Sequence, residues 1–390
     1  MMLTGEQYIF CHDAIAEVIK CDGTSTEIPN CDLRHFVDER LVVPQSNTSG
    51  PTNSCCSGSY GRPSPVLGTD FDHRQHSNPA NLLQKQYQMM CDFEYRDHLA
   101  IEAHKPQNHT KNRPNSPFFP LDKYRVSLTI RAGEQGCDYI NATFFHGFHR
   151  QNEYIITQVP LHGTVAANNG ATSVSPCDSE KGSVEDFWRM IWDYNCQTIV
   201  LLADLDCNHF QKFWPELGVE SLECGNSFYV YMTEAASSGD LTCIDFALQS
   251  TKDDFQFCCR LLHFPGWPSA CYPPLSTIFN LVRTVQDLQN HEYQNGPIVV
   301  VDKYGGTEAA TFCALLTLSA QFEQDCAVDV YQVAKLYNTR RPGIFPTCDD
   351  YYFLYRAIRA LSSESLITPS TETTSSMVDN VVYPIAGTTV

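Results

Sequence analysis

The sequence predicts an α/β protein, a twisted mixed sheet flanked by helices. Three observations carry that expectation. Segments of strand character recur along the chain, and helical patterns alternate with them, as in a sheet covered on both faces. One of these segments, PIVVVD (residues 297–302), is apolar without alternation, the pattern of a strand buried on both sides. It runs through a turn containing Gly305 and Gly306 into the helical TEAATFCALLTL, so a helix N-terminus with free backbone N–H groups stands at the end of a parallel strand.

In chain order, TGEQYIFCHDAIAEVI (from Thr4) ends in an Ala-Ile helical stretch, and DLRHFVDERL reads as a second helix. Residues 44–65 are rich in Ser, Gly, Pro and Asn, the composition of a flexible linker. A helical pattern resumes from Asn81 to Ile101. Strands are expected at YRVSLTI, EYIITQV, TIVLLADL, SFYVYMTEA, LTCIDFAL, DFQFCCRLLHF and PIVVVD. Helices are expected at VEDFWRMIWDY, LSTIFNLVRTVQDLQNHEY, EAATFCALLTLSAQFEQ, DVYQVAKLYN and DYYFLYRAIRAL. Residues 166–183 are small and polar and interrupt the passage from PLHGTV to VEDFWRM, which reads as a surface insertion. Residues 363–390 are Ser/Thr-rich and are expected to be disordered.

The chain has 390 residues, 43% apolar and 12% aromatic, enough for a large core. A net charge of −19 argues against nucleic acid and anionic membrane surfaces, which call for basic patches. Its 18 cysteines form no C-x-x-C pair, and neither a secretory leader pattern nor a membrane-length apolar run is present. Reduced thiols in a cytoplasmic setting, with no metal or cofactor, are the expectation.

The chain also echoes itself. TGEQYIF near the start and TCDDYYF near the end share Thr, an amide or acid three places on, then Tyr and Phe, and an Ala-Ile helix follows each. The opening then reads as the closing helix of another copy of the unit that follows.

Six passages resemble the protein tyrosine phosphatase domain: KNR (residues 111–113), RVSL, CDYINATFFHGF, EYIITQVPL, VEDFWRMIWD and HFPGWP (residues 263–268). The resemblance covers residues 81–362 and is greatest to the gamma/zeta class of receptor-type members, which carry two such domains in tandem. It implies a tyrosine phosphatase-like fold and divides the chain. Residues 1–20 would be a helix remnant of a preceding phosphatase domain and 21–80 an interdomain helix and linker. Residues 81–362 would form the membrane-distal second domain, with the insert at 166–183, and 363–390 the tail.

The resemblance also assigns roles. A cysteine thiolate attacks phosphorus, an arginine clamps the phosphoryl oxygens, a hydroxyl eases departure of the thiolate, and an aspartate after Trp-Pro protonates the leaving group. Here the matching positions are Asp302, Glu308, Ala309 and Ser269. The two water-positioning glutamines are Pro346 and Asp350, and the aromatic that grips phosphotyrosine is Pro114. Asp302 lacks the second carboxylate that a magnesium-dependent aspartyl nucleophile would need at Asp-x-Asp spacing.

A unit charge about 5 Å from a phosphate oxygen is worth roughly 3 kcal/mol at an effective dielectric near 20, so Arg-to-Glu reversal swings binding by roughly 6 kcal/mol. Lys303 and the helix dipole, worth about 1 kcal/mol, do not offset that. The expectation is a pseudophosphatase with a regulatory role, whose partner is an active phosphatase domain in cis or in trans. The Asp302–Lys303–Glu308 cluster would be a solvated, internally paired loop. Asp138, Tyr139, Ile140, Asn141, Ala142, Trp267, Gly305 and Gly306 would shape the fold. The competing readings are a working phosphatase, for which the nearest cysteine is Cys313, and a scaffold tethered by its tail. The terminal Gly387-Thr388-Thr389-Val390 resembles a PDZ ligand, with Val390 filling an apolar pocket and Thr388 making a polar contact.

Overall fold

The computed structural model describes residues 14–19, 25–41, 80–92, 99–163, 182–204, 211–218, 221–225, 227–268, 271–291 and 295–362. Ser269, Thr388 and Val390, together with most of the linker, insert and tail assigned above, lie outside these residues.

The strands are β1 (Ile28–Pro29), β2 (Arg125–Ser127), β3 (Tyr139–Phe145), β4 (Tyr154–Gln158), β5 (Thr198–Leu201), β6 (Leu222–Cys224), β7 (Phe228–Ser238), β8 (Leu241–Ser250), β9 (Gln256–His263), β10 (Ile298–Asp302) and β11 (Ala327–Val328). The main helices are α1 (Asn30–Leu41), α2 (Ala80–Asp92), α3 (Val184–Asp193), α4 (Leu275–His291), α5 (Thr307–Gln324), α6 (Val330–Arg340) and α7 (Cys348–Leu361). Nine strands form one sheet in the order β2-β3-β4-β10-β5-β9-β8-β7-β6. Its centre is parallel, with β10 between β4 and β5 and β9 beyond β5, while both flanks are antiparallel. The sheet is mixed, as the sequence predicts.

β10 reads IVVVD without alternation because both its faces are covered. Ile298 and Val300 join the core under α4, α5, α6 and α7, and Val299 and Val301 join the one under α3. Every α5 side chain from Ala309 to Ala320 is buried, so this helix runs through the interior rather than along the surface.

Three expectations need correction. The helix expected over 81–101 spans Ala80–Asp92, and residues 99–101 are not helical. β3 was not expected as a strand: its Asn141 and Thr143 look like loop residues, yet both are buried and hydrogen-bonded to distant side chains. Of the insertion expected over 166–183, only residues 182 and 183 lie among the described residues, and Ser183 is not a free surface residue. That residue is buried, donates its N–H to the Leu161 carbonyl at 2.7 Å and accepts the Leu161 N–H on Oγ at 2.9 Å, closing the base of the segment.

The turn after β10 requires glycine. Gly305 has φ +66, and a Cβ there would stand 2.8 Å from the Gln158 nitrogen. At Gly306 a Cβ would meet the Phe118 ring at 2.2 Å. Gly239, between β7 and β8, has φ +58 but open space around it. Gly305→Ala should therefore lower unfolding free energy by about 2 kcal/mol or more, and Gly239→Ala by only about 1 kcal/mol. Urea titration of the two variants measures the difference, and equal losses would show that the turn is not pressed against β4.

Candidate functional site

The phosphatase-like site is built at the C-terminal end of β10, where Asp302 pairs in register with Gln158 of β4. The chain turns over residues 303–306 and enters α5 at Thr307, with Gly306 as its N-cap. Three amides of this turn and the helix start share one acceptor. Asp302 Oδ1 accepts from the backbone N–H of Tyr304 and of Gly306, each at 2.9 Å. Its Oδ2 accepts from Gly306 and Ala309, again at 2.9 Å. The side chain is 1% exposed.

The expectation of a solvated cluster is thus corrected at Asp302, while a side-chain hydrogen bond between Glu308 and Asp302 keeps part of the internal pairing. Asp302 is buried and accepts from backbone amides, because a carboxylate two to seven residues from those amides can fold back onto them. Lys303 instead lies 5.0 Å from the centre of the Tyr304 ring.

Behind the turn sits Arg341, fully buried. Its Nη1 donates to Thr143 Oγ1 at 2.9 Å, and its Nη2 to Asn141 Oδ1 at 2.7 Å and to the Tyr304 carbonyl at 3.4 Å. Burial lowers its pKa to about 10, and the charge of Asp302 acts in the opposite sense. The guanidinium therefore stays protonated at neutral pH. Asn141 also donates to Gln158 Oε1 at 3.1 Å, and Gln158 Nε2 donates to the Lys111 carbonyl at 2.8 Å.

The KNR segment is bound into the same frame. Lys111 pairs with Asp186 of α3 at 2.7 Å, Asn112 accepts from the Tyr139 hydroxyl at 2.7 Å, and Arg113 Nε donates to the Val159 carbonyl at 2.9 Å. The retained residues Tyr139, Asn141, Gly305 and Gly306 do shape the fold.

Glu308, in the first turn of α5, has its pKa pushed up to about 7 by burial and by the neighbouring Asp302. At neutral pH its carboxyl is thus only partly ionised. The full charge reversal reckoned from sequence overstates the repulsion at this position, since burial and a neighbouring carboxylate both disfavour the charged form of Glu308. Ala309 is buried and offers the site a backbone N–H but no hydroxyl.

Asp350, at a glutamine position, is committed elsewhere. Its Oδ2 accepts from the Thr347 backbone N–H at 2.9 Å in a capping box that starts α7. Its Oδ1 accepts from the Tyr272 hydroxyl at 2.5 Å. Pro346 and Pro114 are exposed, and neither has a side-chain donor.

The structure brings Asp302, Glu308 and Ala309 together where β10 meets α5, with the Ala309 N–H on Asp302 Oδ2, and Asp350 acts on Glu308 from the start of α7. Arg341 and Tyr272 were missed from sequence. The consecutive arginines of TRRPG were a signal for the first, and nothing local marked the second.

A family profile described as protein-tyrosine phosphatase matches residues 108–360. The chain is 33% identical to tyrosine-protein phosphatase 99A of Drosophila melanogaster over 93% of its own length and 22% of that protein's. It is 32% identical to receptor-type tyrosine-protein phosphatase zeta of Homo sapiens over 93% of its length and 13% of the relative's. Against the putative receptor-type tyrosine-protein phosphatase mosPTP-1 of Culex quinquefasciatus the identity is 32%, over 95% of this chain and 21% of that one. The chain thus spans less than a quarter of each of these relatives. With the nine-stranded mixed sheet, the strand–turn–helix at Asp302 and the match over residues 108–360, the chain belongs to the protein-tyrosine phosphatase family.

Proposed function

We propose that this chain is a non-catalytic phosphatase domain, the second and membrane-distal one of a receptor-type tyrosine phosphatase, acting as a regulatory and interaction module. The observation that carries the reading is the buried Asp302 carboxylate beside Glu308, at the two positions where the family chemistry calls for a thiolate and a guanidinium. Asp302 has both oxygens held by backbone amides, which lowers their reactivity as nucleophiles. Ala309 has no hydroxyl to help a leaving group depart.

An active phosphatase would need another nucleophile. Cys313, the nearest cysteine in sequence, is fully buried in α5, and burial together with Asp302 pushes its thiol well above the usual range. Attack on phosphorus requires the thiolate, which this setting suppresses.

The tandem arrangement draws support from the repeated motif. Residues 14–19 are helical, and Ile15 and Val18 are 61% and 55% exposed. Their counterparts in the second copy, Ile358 and Leu361 of α7, are 0% and 8% exposed beneath the whole domain. An apolar helix face repeated in this way fits a preceding phosphatase-like unit that would cover it. The partner in this reading is an active phosphatase domain, in cis or in another copy of the receptor.

Purified chain should give no turnover of p-nitrophenyl phosphate or phosphotyrosine peptide above that of Asp302→Ala. Turnover that disappears in the variant would sink the non-catalytic reading. Restoring Asp302→Cys, Glu308→Arg, Ala309→Thr and Ser269→Asp together should recover activity, whereas Asp302→Cys alone should not, because clamp and acid are still absent.

Glu308 gives a pH signature. Its carboxyl pKa is raised from 4.5 to about 7 by folding, so the folded state holds the proton more tightly. That contribution is full below about pH 4.5 and is lost as pH rises through about 7. Glu308→Gln should therefore be more stable than wild type at pH 8 by on the order of 1–3 kcal/mol, and the gap should close near pH 5. Urea titrations at the two pH values measure it; a gap independent of pH would show that Glu308 does not titrate in the folded state.

A further inference from the structure

The N–H groups that end a glycine turn and begin a long helix are the usual seat of a bound anion. In this chain three of them, on Tyr304, Gly306 and Ala309, point to the two oxygens of one carboxylate, and the Ala310 N–H is taken by the Gly306 carbonyl at 3.0 Å. That carboxylate belongs to the residue at the end of β10, directly before the turn, so it reaches the amides with no help from another element. Arg341 faces the turn from behind, and its direct hydrogen bonds run to the oxygens of Thr143, Asn141, Phe118 and Tyr304, none of which carries a charge. Asp302 supplies the opposing charge across Gly305, where a Cβ would lie 3.1 Å from Arg341 Nη2.

We propose that Asp302 is the built-in occupant of the oxyanion cradle: its carboxylate takes the donors that a tetrahedral oxyanion would take, holds residues 303–306 in the anion-bound shape and closes the site to phosphate-like ligands. The inference rests on the family reading of residues 302–309 as a phosphate cradle, and it goes beyond the loss of catalysis. A site that has merely lost its reactive groups would be an open anion site with weakened affinity. A site filled from within has lost the three donors on Tyr304, Gly306 and Ala309, and its turn keeps one shape with or without ligand. Asp302 lies on the turn that Arg341 faces, and its charge favours the buried cation from across Gly305 without a direct ion pair.

Tungstate, a tetrahedral oxyanion, is the probe. Isothermal titration of wild type should show no binding at millimolar concentration. Asp302→Ala should uncover the cradle, and Asp302→Ala with Glu308→Gln, which removes the second carboxylate, should bind tungstate at least tenfold more tightly than wild type. Wild type binding as tightly as the double variant, or a folded double variant binding no better than wild type, would overturn the proposal.

Loss of the Asp302 charge across from Arg341 can unfold these variants, and amide hydrogen exchange on the wild-type chain gives a second readout. The Gly306 and Ala309 amides should be protected in anion-free buffer and unchanged by tungstate. Exchange at the rate of free amides, or protection gained only with tungstate, would equally refute the internal occupant. Turnover of phosphotyrosine by wild type would defeat the non-catalytic reading and is scored separately from these binding measurements.

Discussion

The site depends on one interaction: the Asp302 carboxylate bound by the backbone amides of its own turn, with the buried Arg341 guanidinium behind it. A carboxylate carried into a protein interior is costly unless hydrogen-bonded, and so is an unpaired guanidinium. Here each reduces the cost of the other. The helix dipole of α5 adds to the same balance, because its positive end faces the carboxylate. Asp302 has thus been accommodated at a position where the family carries a reactive sulfur, by using the anion-binding capacity that the fold supplies in any case.

That capacity comes from the scaffold. β10 stands between two parallel neighbours, so its register with Gln158 fixes where the turn begins. Asn141 links Gln158 to Arg341, and Gln158 in turn holds the Lys111 carbonyl, so the KNR segment, β3, β4 and the turn are joined by side-chain bonds across the sheet end. The frame's bonds run between scaffold residues, so the fold is separable from the chemistry carried at the end of β10 and the start of α5.

Glu308 shows the limit of counting charges from a sequence. Written as a full negative charge, it would repel phosphate as strongly as an arginine attracts it. Half-buried beside Asp302, it has its pKa raised to about 7 instead. The site is less negative than its letters imply, and three of its backbone donors are already occupied.

The residues by themselves determined the fold class, most strand and helix positions and the family. Periodicity, glycine placement and motif order are local properties, and one chain displays them. What they could not determine was partnership. β3 was missed because its Asn141 and Thr143 are satisfied by Arg341, 200 and 198 residues away, and a polar residue in a strand reads as a loop until that partner is known. The acidic cluster was misjudged as solvated for the same reason: burial and backbone acceptance are decided by how β4, β10 and α5 meet. Only the tertiary structure could place a charge under the core and show which groups answer it.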